Sequence, residues 1–407
     1  MTNRRDFIKQ ASMMVAGGVV GSSILSGCGG GSPRSTASNL PQRINQGIID
    51  IHVHARSGGG LQAFLDAGKT FIDETVQVDQ VNFVVYLGNS PNSLSAHLMT
   101  LVLKTVDPRF TTYGGFAYNW LPWDEAGLRT QLEDMMEAGF DGLKMIEGKP
   151  TNRRVDPERA LDHPRYNGVG ELLQQTGYHV LNHVNDPVEF WSPETVPSWS
   201  SSSSAGGYWE TERFLPYEQH YEETERWFAR YPNMNQMMAH AYFLSNFPDR
   251  MTALFERFPK ISIDLTPGIE MYEGFTKYRS QWIPFFNKYQ DRIVFGTDNR
   301  VDHRPEVVGH DSSYFDRIAI MRRFLETDDR FEEWGYQLHG LALPESVIKK
   351  IYSENAIRMR GPVKPVVPAK ALKYANKLYA EALKVDSFSD TSKQEVREVI
   401  EFFEKRV

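Results

Sequence analysis

Eight short β-rich runs recur along the chain, most of them separated by segments with helical spacing. They are Ile48–His54, Val81–Leu87, Thr112–Tyr118, Gly142–Ile146, His179–His183, Gln236–His240, Ile261–Leu265 and Ile293–Asp298. Between them, Trp123–Ala138 and Met251–Phe258 repeat apolar residues at helical intervals. Strands alternating with helices predict a parallel sheet, because a parallel partner needs a crossover that a helix supplies. Eight such units in roughly 250 residues have the size of a closed (β/α)₈ barrel, an α/β TIM barrel. A doubly wound open sheet is the alternative. With 407 residues, the chain has room for one large barrel with additions or for two ordinary domains.

Several classes of function lose their markers. No G-x-G-x-x-G follows a strand, no G-x-x-x-x-G-K occurs, and no G-x-S-x-G elbow is present. A net charge of −7 without a basic stripe argues against a nucleic-acid surface. The single cysteine excludes a disulfide framework and a Cys-rich zinc site. Any metal must therefore sit on His, Asp, Glu or a modified Lys.

The first 28 residues read as an address. Arg4-Arg5 is followed by Asp6, Phe7, Ile8 and Lys9, then by a mild apolar stretch from Ala11 to Leu25. That stretch is too short and too weak to remain as a spanning helix. It resembles a twin-arginine export signal, and Leu25-Ser26-Gly27-Cys28 resembles a lipoprotein cleavage box. The chain's one cysteine stands where such a box needs it. The expectation is export to the periplasmic side or cell envelope, with a lipid anchor at Cys28 as the sole membrane attachment. Residues 29–44, rich in Gly, Ser and Pro, read as a flexible tether. The barrel is expected over 45–360 and a helical extension over 361–407.

Two further segments stand out. Asp186–His220 is long for a strand-to-helix connection and carries a Ser/Gly stretch flanked by aromatics, which fits a mobile lid or a solvated insertion equally well. After a helix over Pro344–Met359, two amphipathic helices close the chain. The first groups Leu372, Ala375, Tyr379 and Leu383; the second opens on a capping box, Ser392 to Glu395, and groups Val396, Val399, Ile400 and Phe403. They are expected on the barrel exterior or against another subunit of a homo-oligomer.

The chemistry is concentrated where strands end. The first run closes on Asp50-Ile51-His52-Val53-His54, with two histidines at i and i+2 sharing a face. The fifth closes on His183, the sixth on His240, the eighth on Gly296-Thr297-Asp298. Each taken alone is consistent with a hydrogen-bonded core histidine or a helix-capping aspartate. Together, in a barrel, they converge on one mouth. Burying that many unpaired polar groups by accident would be costly.

This pattern resembles the amidohydrolase superfamily, and within it the branch of amino-carboxymuconate-semialdehyde-type decarboxylases and related lactone hydrolases. The phrases His183-Val184-Asn185-Asp186-Pro187, Phe295–Asp298 and Ile351-Tyr352-Ser353-Glu354-Asn355-Ala356 carry the likeness, over about residues 45–360. The resemblance implies one divalent ion, Zn²⁺ with Mn²⁺ or another first-row ion as the alternative, on His52, His54, His183 and Asp298. His240 would be an acid-base or polarising residue, and Asp298 would also shuttle the proton of the attacking water. Lys144 would contact substrate or support the barrel wall rather than bridge two metals. Arg300 and His303 would contact substrate, and an arginine, Arg300 or Arg304, could clamp a carboxylate, with a surface ion pair the ordinary fate of Arg304. Tyr118 and Trp120 would line the pocket or pack in the core.

The leading expectation is hydrolysis of a small-molecule lactone, ester or amide. Non-oxidative decarboxylation by the same ligands is the first alternative, and a non-catalytic ligand-binding lipoprotein the second. The targeting expectation has a direct check. Wild-type protein should fractionate with membranes outside the cytoplasm and Cys28→Ser should not; identical soluble cytoplasmic distributions would overturn it.

Overall fold

The structure, a computed structural model, describes residues 47–74, 78–196, 213–267, 269–301, 313–333 and 335–407. The leader, Cys28, the tether, the middle of the suggested lid, His303 and Arg304 lie outside these residues.

All eight expected runs form parallel strands. They are β1 (Ile48–Ala55), β2 (Val78–Val84), β3 (Phe110–Gly114), β4 (Gly142–Gly148), β5 (His179–Val184), β6 (Gln236–Met238), β7 (Ile261–Asp264) and β8 (Ile293–Val294). A ninth, β9 (Asn299–Val301), follows β8 after four residues. The strand order is β8-β7-β6-β5-β4-β3-β2-β1-β9, so the two ends of the sheet are neighbours in sequence. Only a sheet curled round on itself allows that. Ile51 N–H donates to Phe295 O across the junction, and Asp298 N–H donates to His52 O at 2.8 Å. The arrangement fits a (β/α)₈ barrel and not an open doubly wound sheet.

The eighth strand departs from the sequence expectation. Ile293–Asp298 was expected as one run, but it stops at Val294 and resumes at Asn299. Asp298 takes φ +56, which no strand residue adopts. The break is held from outside: Asn355 Nδ2 donates to Ile293 O and Gln290 O, and Phe295 N donates to Ile351 O. The helix expected over Pro344–Met359 supplies these groups; it runs from Glu345 to Arg360 with a π turn at Lys350–Glu354.

Helices that matter below are α1 (Leu61–Glu74), α2 (Leu94–Val106), α3 (Glu125–Ala138) and, at the end of the chain, α4 (Pro368–Ala382) and α5 (Asp390–Glu404). Helix α5 buries Val396, Val399, Ile400 and Phe403 as expected. Its capping differs: Ser389 is the N-cap, accepting from Ser392 N, and Glu395 bonds elsewhere. Helix α4 buries Ala371, Tyr374, Ala375, Leu378 and Ala382, a face offset from the expected one, and Leu383 is exposed. On that face the Tyr374 hydroxyl meets His97 Nε2 of α2 at 2.9 Å.

Burial also sets the acid response. It is the largest cause that lowers His54 and His220 to about 4, His97, His179 and His240 to about 3, and His183 well below its ordinary value. Burial acts oppositely on Asp50 and Glu147, raising each to about 7. At pH 5 the unfolded chain holds up to six imidazolium protons that the fold refuses, while the fold keeps up to two carboxyl protons that the unfolded chain releases. The histidines win. Stability of the chelator-treated protein is therefore full above pH 6.5 and is lost as pH falls, by about 1.4 kcal/mol per pH unit for each net proton. Urea midpoints should drop between pH 7 and 5; a flat or rising profile would contradict this balance of charges.

Candidate metal centre

His52 is fully buried near the end of β1. Its Nδ1–H donates to Asp264 Oδ2 at 2.8 Å, with Thr266 Oγ1 at 3.2 Å. Asp264 is the last residue of β7 and is itself fully buried. Burial alone would raise this carboxyl, but the facing His52 and His240 and the bonds from His52 and Thr266 outweigh it and hold the group below the usual carboxylate range. The consequence for His52 is a fixed tautomer. With the proton on Nδ1, Nε2 keeps its lone pair for the mouth.

A cationic and an anionic side chain face that lone pair. Lys144 Nζ lies 3.0 Å from His52 Nε2. Lys144 comes from β4 and is 1% exposed; burial is the main cause lowering its ammonium to about 8. Asp298 Oδ1 lies 3.6 Å from the same nitrogen and 3.0 Å from His54 Nε2. Asp298 has 27% of its side chain exposed, against 21% of His54 and none of His52. Burial pushes its carboxyl up, but the bond to His54 and the charges of His54, His52 and His240 hold it well below the ordinary value.

A Cβ at Gly296 would sit 3.0 Å from His52 Cβ, tighter than ordinary contact, so a larger residue there would need β1 and the break after β8 to give by a few tenths of an ångström. Asp50 fastens the same junction, accepting from Thr297 N at 3.0 Å and Thr297 Oγ1 at 2.5 Å.

His240 reaches the centre by an unusual backbone route. It follows β6 and takes φ +56, and Ala241, Tyr242 and Phe243 also have positive φ. Each such non-glycine residue costs roughly 1–2 kcal/mol, so the surrounding structure must over-determine the turn. It does: His240 N–H donates to Asp264 Oδ1 at 2.7 Å, Tyr221 Oη–H donates to Tyr242 O, and the His240 ring stacks on Phe243 at 17°. His240 Nδ1 is 3.3 Å from Thr266 O. The ring lies 5.4 Å from that of His52 and 4.9 Å from that of His183.

The structure thus brings His52, His54, His183, His240 and Asp298 into one connected group. Among the described residues, the trio with donor atoms all within 4.8 Å of one another is His52, His240 and Asp298. His54 joins through Asp298, and His183 joins through the His240 ring, its Nε2 meeting Asn185 O at 3.1 Å. Arg300 lies in β9 directly opposite His54 in register. Tyr118 and Trp120 are buried, Tyr118 under the Arg159 guanidinium and Trp120 donating to Gly88 O, so both belong to the wall. Asp264 was missed in the sequence. The signal was available, since Ile261-Ser262-Ile263-Asp264 closes an apolar run on a carboxylate as the other strand ends do.

The donor set suits a divalent ion. Two imidazoles and a carboxylate converge, one imidazole has its proton directed away by Asp264, and a lysine ammonium sits against the available lone pair as a cation would. Imidazole-rich shells favour borderline first-row ions over Ca²⁺ or Mg²⁺.

A search of curated proteins finds no match. Among solved structures the chain is similar to 5-carboxyvanillate decarboxylase from Sphingomonas paucimobilis, at 14% identity and TM-score 0.44, covering 77% of this chain and 99% of that one. It is similar to the apo form of IDCase from Metarhizium anisopliae, at 14% identity and TM-score 0.46, covering 78% and 97%. It is also similar to N-isopropylammelide isopropylaminohydrolase from Burkholderia multivorans, at 14% identity and TM-score 0.41, covering 82% of each chain. The model of a family described as amidohydrolase matches residues 49–360. That match spans well over half of the 407 residues and includes every polar strand end described above, and the chain belongs to the amidohydrolase family.

Proposed function

We propose that this protein is a metal-dependent hydrolase that directs water at the carbonyl of a lactone, ester or amide. The observation that carries the reading is Asp298: an ionised, partly exposed carboxylate held between two histidines in the mouth. His52, His54, His183 and Asp298 would hold one divalent ion, Zn²⁺ or another first-row metal. When bound, such an ion lowers the pKa of water from 15.7 toward about 7.

This chain's own groups do the rest. Asp298 accepts the proton of the attacking water at a carboxylate oxygen and returns it to the leaving group. His240, fixed by Asp264 at its backbone and with Nδ1 on the Thr266 carbonyl, offers an Nε2 lone pair that can accept a proton beside the centre. Asp264 keeps His52 in one tautomer throughout. Arg300, next to His54 in register, supports binding of a polar substrate group. The mutual closeness of His52, His240 and Asp298 favours a second ligand assignment, with His240 in place of His183. Metal content separates them: His183→Ala loses the ion in the first case and His240→Ala in the second.

Decarboxylation is the second reaction to weigh, and Lys144 favours it, since a buried ammonium beside the centre could hold a substrate carboxylate. The Arg4-Arg5 leader and Cys28 support a place for the enzyme outside the cytoplasm.

Asp298→Asn tests the mechanism. Asparagine tolerates the same backbone conformation and caps nearly as well, so folding should survive. Loss of proton transfer should cost about 10²–10⁴-fold in turnover on whichever substrate a panel of lactones, esters, amides and aromatic acids identifies. Retention of more than about a tenth of wild-type turnover would remove Asp298 from the proton path.

A further inference from the structure

Helices α4 and α5 lie beyond the residues that match the family. Helix α5 nevertheless reaches the barrel mouth. The loop leaving β1 two residues after His54 is Arg56-Ser57-Gly58-Gly59-Gly60, and it leads into α1. Glu395 of α5 accepts from Gly58 N at 2.6 Å and from Gly60 N at 3.1 Å. One turn on, Glu398 accepts from Leu61 N at 2.7 Å. Glu395 is 2% exposed, and its Oε1 takes both glycine N–H groups just ahead of α1, while Oε2 is buried without a hydrogen-bond partner.

Three successive glycines are expensive to order, because each has more backbone freedom to lose than any other residue. Gly58 and Gly60 have φ of +136 and +86, where other residues are strained. Without an external hold this loop would be loose. Its other end is the barrel junction: Ala55 pairs with Val301, and Arg56 N donates to Val301 O at 2.9 Å. That same pairing of β1 with β9 sets His54 against Asp298 at 3.0 Å.

We propose that Glu395 and Glu398 are positioning residues for the active site: the C-terminal helix clamps the glycine loop and thereby fixes the β1/β9 junction on which His54 and Asp298 meet. The extension is then a working part of the catalytic barrel and not an ornament on its outside. Groups that orient ligands from behind typically change metal affinity by about 10–100-fold when removed.

The inference rests on the metal reading above, and the test keeps the two apart. Full-length, metal-free protein is titrated with Co²⁺, following the visible absorption of the bound ion, and amide exchange is followed at Gly58, Gly60 and Leu61. Glu395→Ala should weaken Co²⁺ binding about tenfold or more and speed exchange at Gly58 and Gly60, with unchanged circular dichroism. Glu395→Gln, which keeps an acceptor oxygen, should recover most of the affinity. Val399→Ala, a cavity in the same helix, should lower stability without changing affinity. Wild-type affinity and exchange in Glu395→Ala would overturn the clamp, as would an equal loss of affinity in Val399→Ala. Failure of the wild type to bind Co²⁺ would overturn the metal reading, and the clamp would then stand or fall on exchange at Gly58 and Gly60.

Discussion

A single buried carboxylate organises the mouth of this barrel. Asp264 sits at the end of β7, accepts the Nδ1–H of His52 with one oxygen and the backbone N–H of His240 with the other, and takes Thr266 N–H as well. The first bond selects which nitrogen of His52 faces the centre. The second anchors a run of left-handed residues that would not hold itself, and so sets where the His240 ring stands. Hydrogen bonds to a charged group are worth about 1.5–3 kcal/mol each, which is the scale needed to offset such backbone strain. Removing this carboxylate would loosen two of the three groups in the closest trio at once.

The remaining member, Asp298, depends on a different constraint, the closure of the barrel. The eighth strand breaks at Phe295–Asp298, and Asp298 adopts φ +56 at the break. Asn355 and Ile351 hold the strand from outside, and Gly296 lets it approach His52 from inside. The centre is thus assembled where the sheet meets itself. That gives the carboxylate its mixture of close histidine partners and partial solvent access.

The strands were legible because their apolar runs are short and end on polar residues; Val180-Leu181-Asn182-His183 and Met237-Met238-Ala239-His240 show this directly. Conformations decided by distant hydrogen bonds were not legible. Nothing local in Gly296-Thr297-Asp298 announces a left-handed aspartate, and nothing in His240-Ala241-Tyr242-Phe243 announces four positive φ angles. Asp264 was hidden by ambiguity of a simpler kind, since a carboxylate after a strand reads equally well as a cap for the next helix. The start of the last helix was misplaced because Ser389 and Ser392 both precede a residue three positions on that can complete a cap; Glu395 is drawn away by the glycine loop. On α4, Leu372 and Tyr379 flank the buried face, where Tyr374 meets His97 among Ala371, Ala375, Leu378 and Ala382.

The central claim is that this cluster holds one divalent metal ion. Elemental analysis of purified protein, beside that of His52→Ala, tests it most directly. The account requires about one first-row ion per chain in the wild type and most of it lost from His52→Ala. Two ions per chain, an undiminished ion in His52→Ala, or an active wild-type protein with none would contradict it.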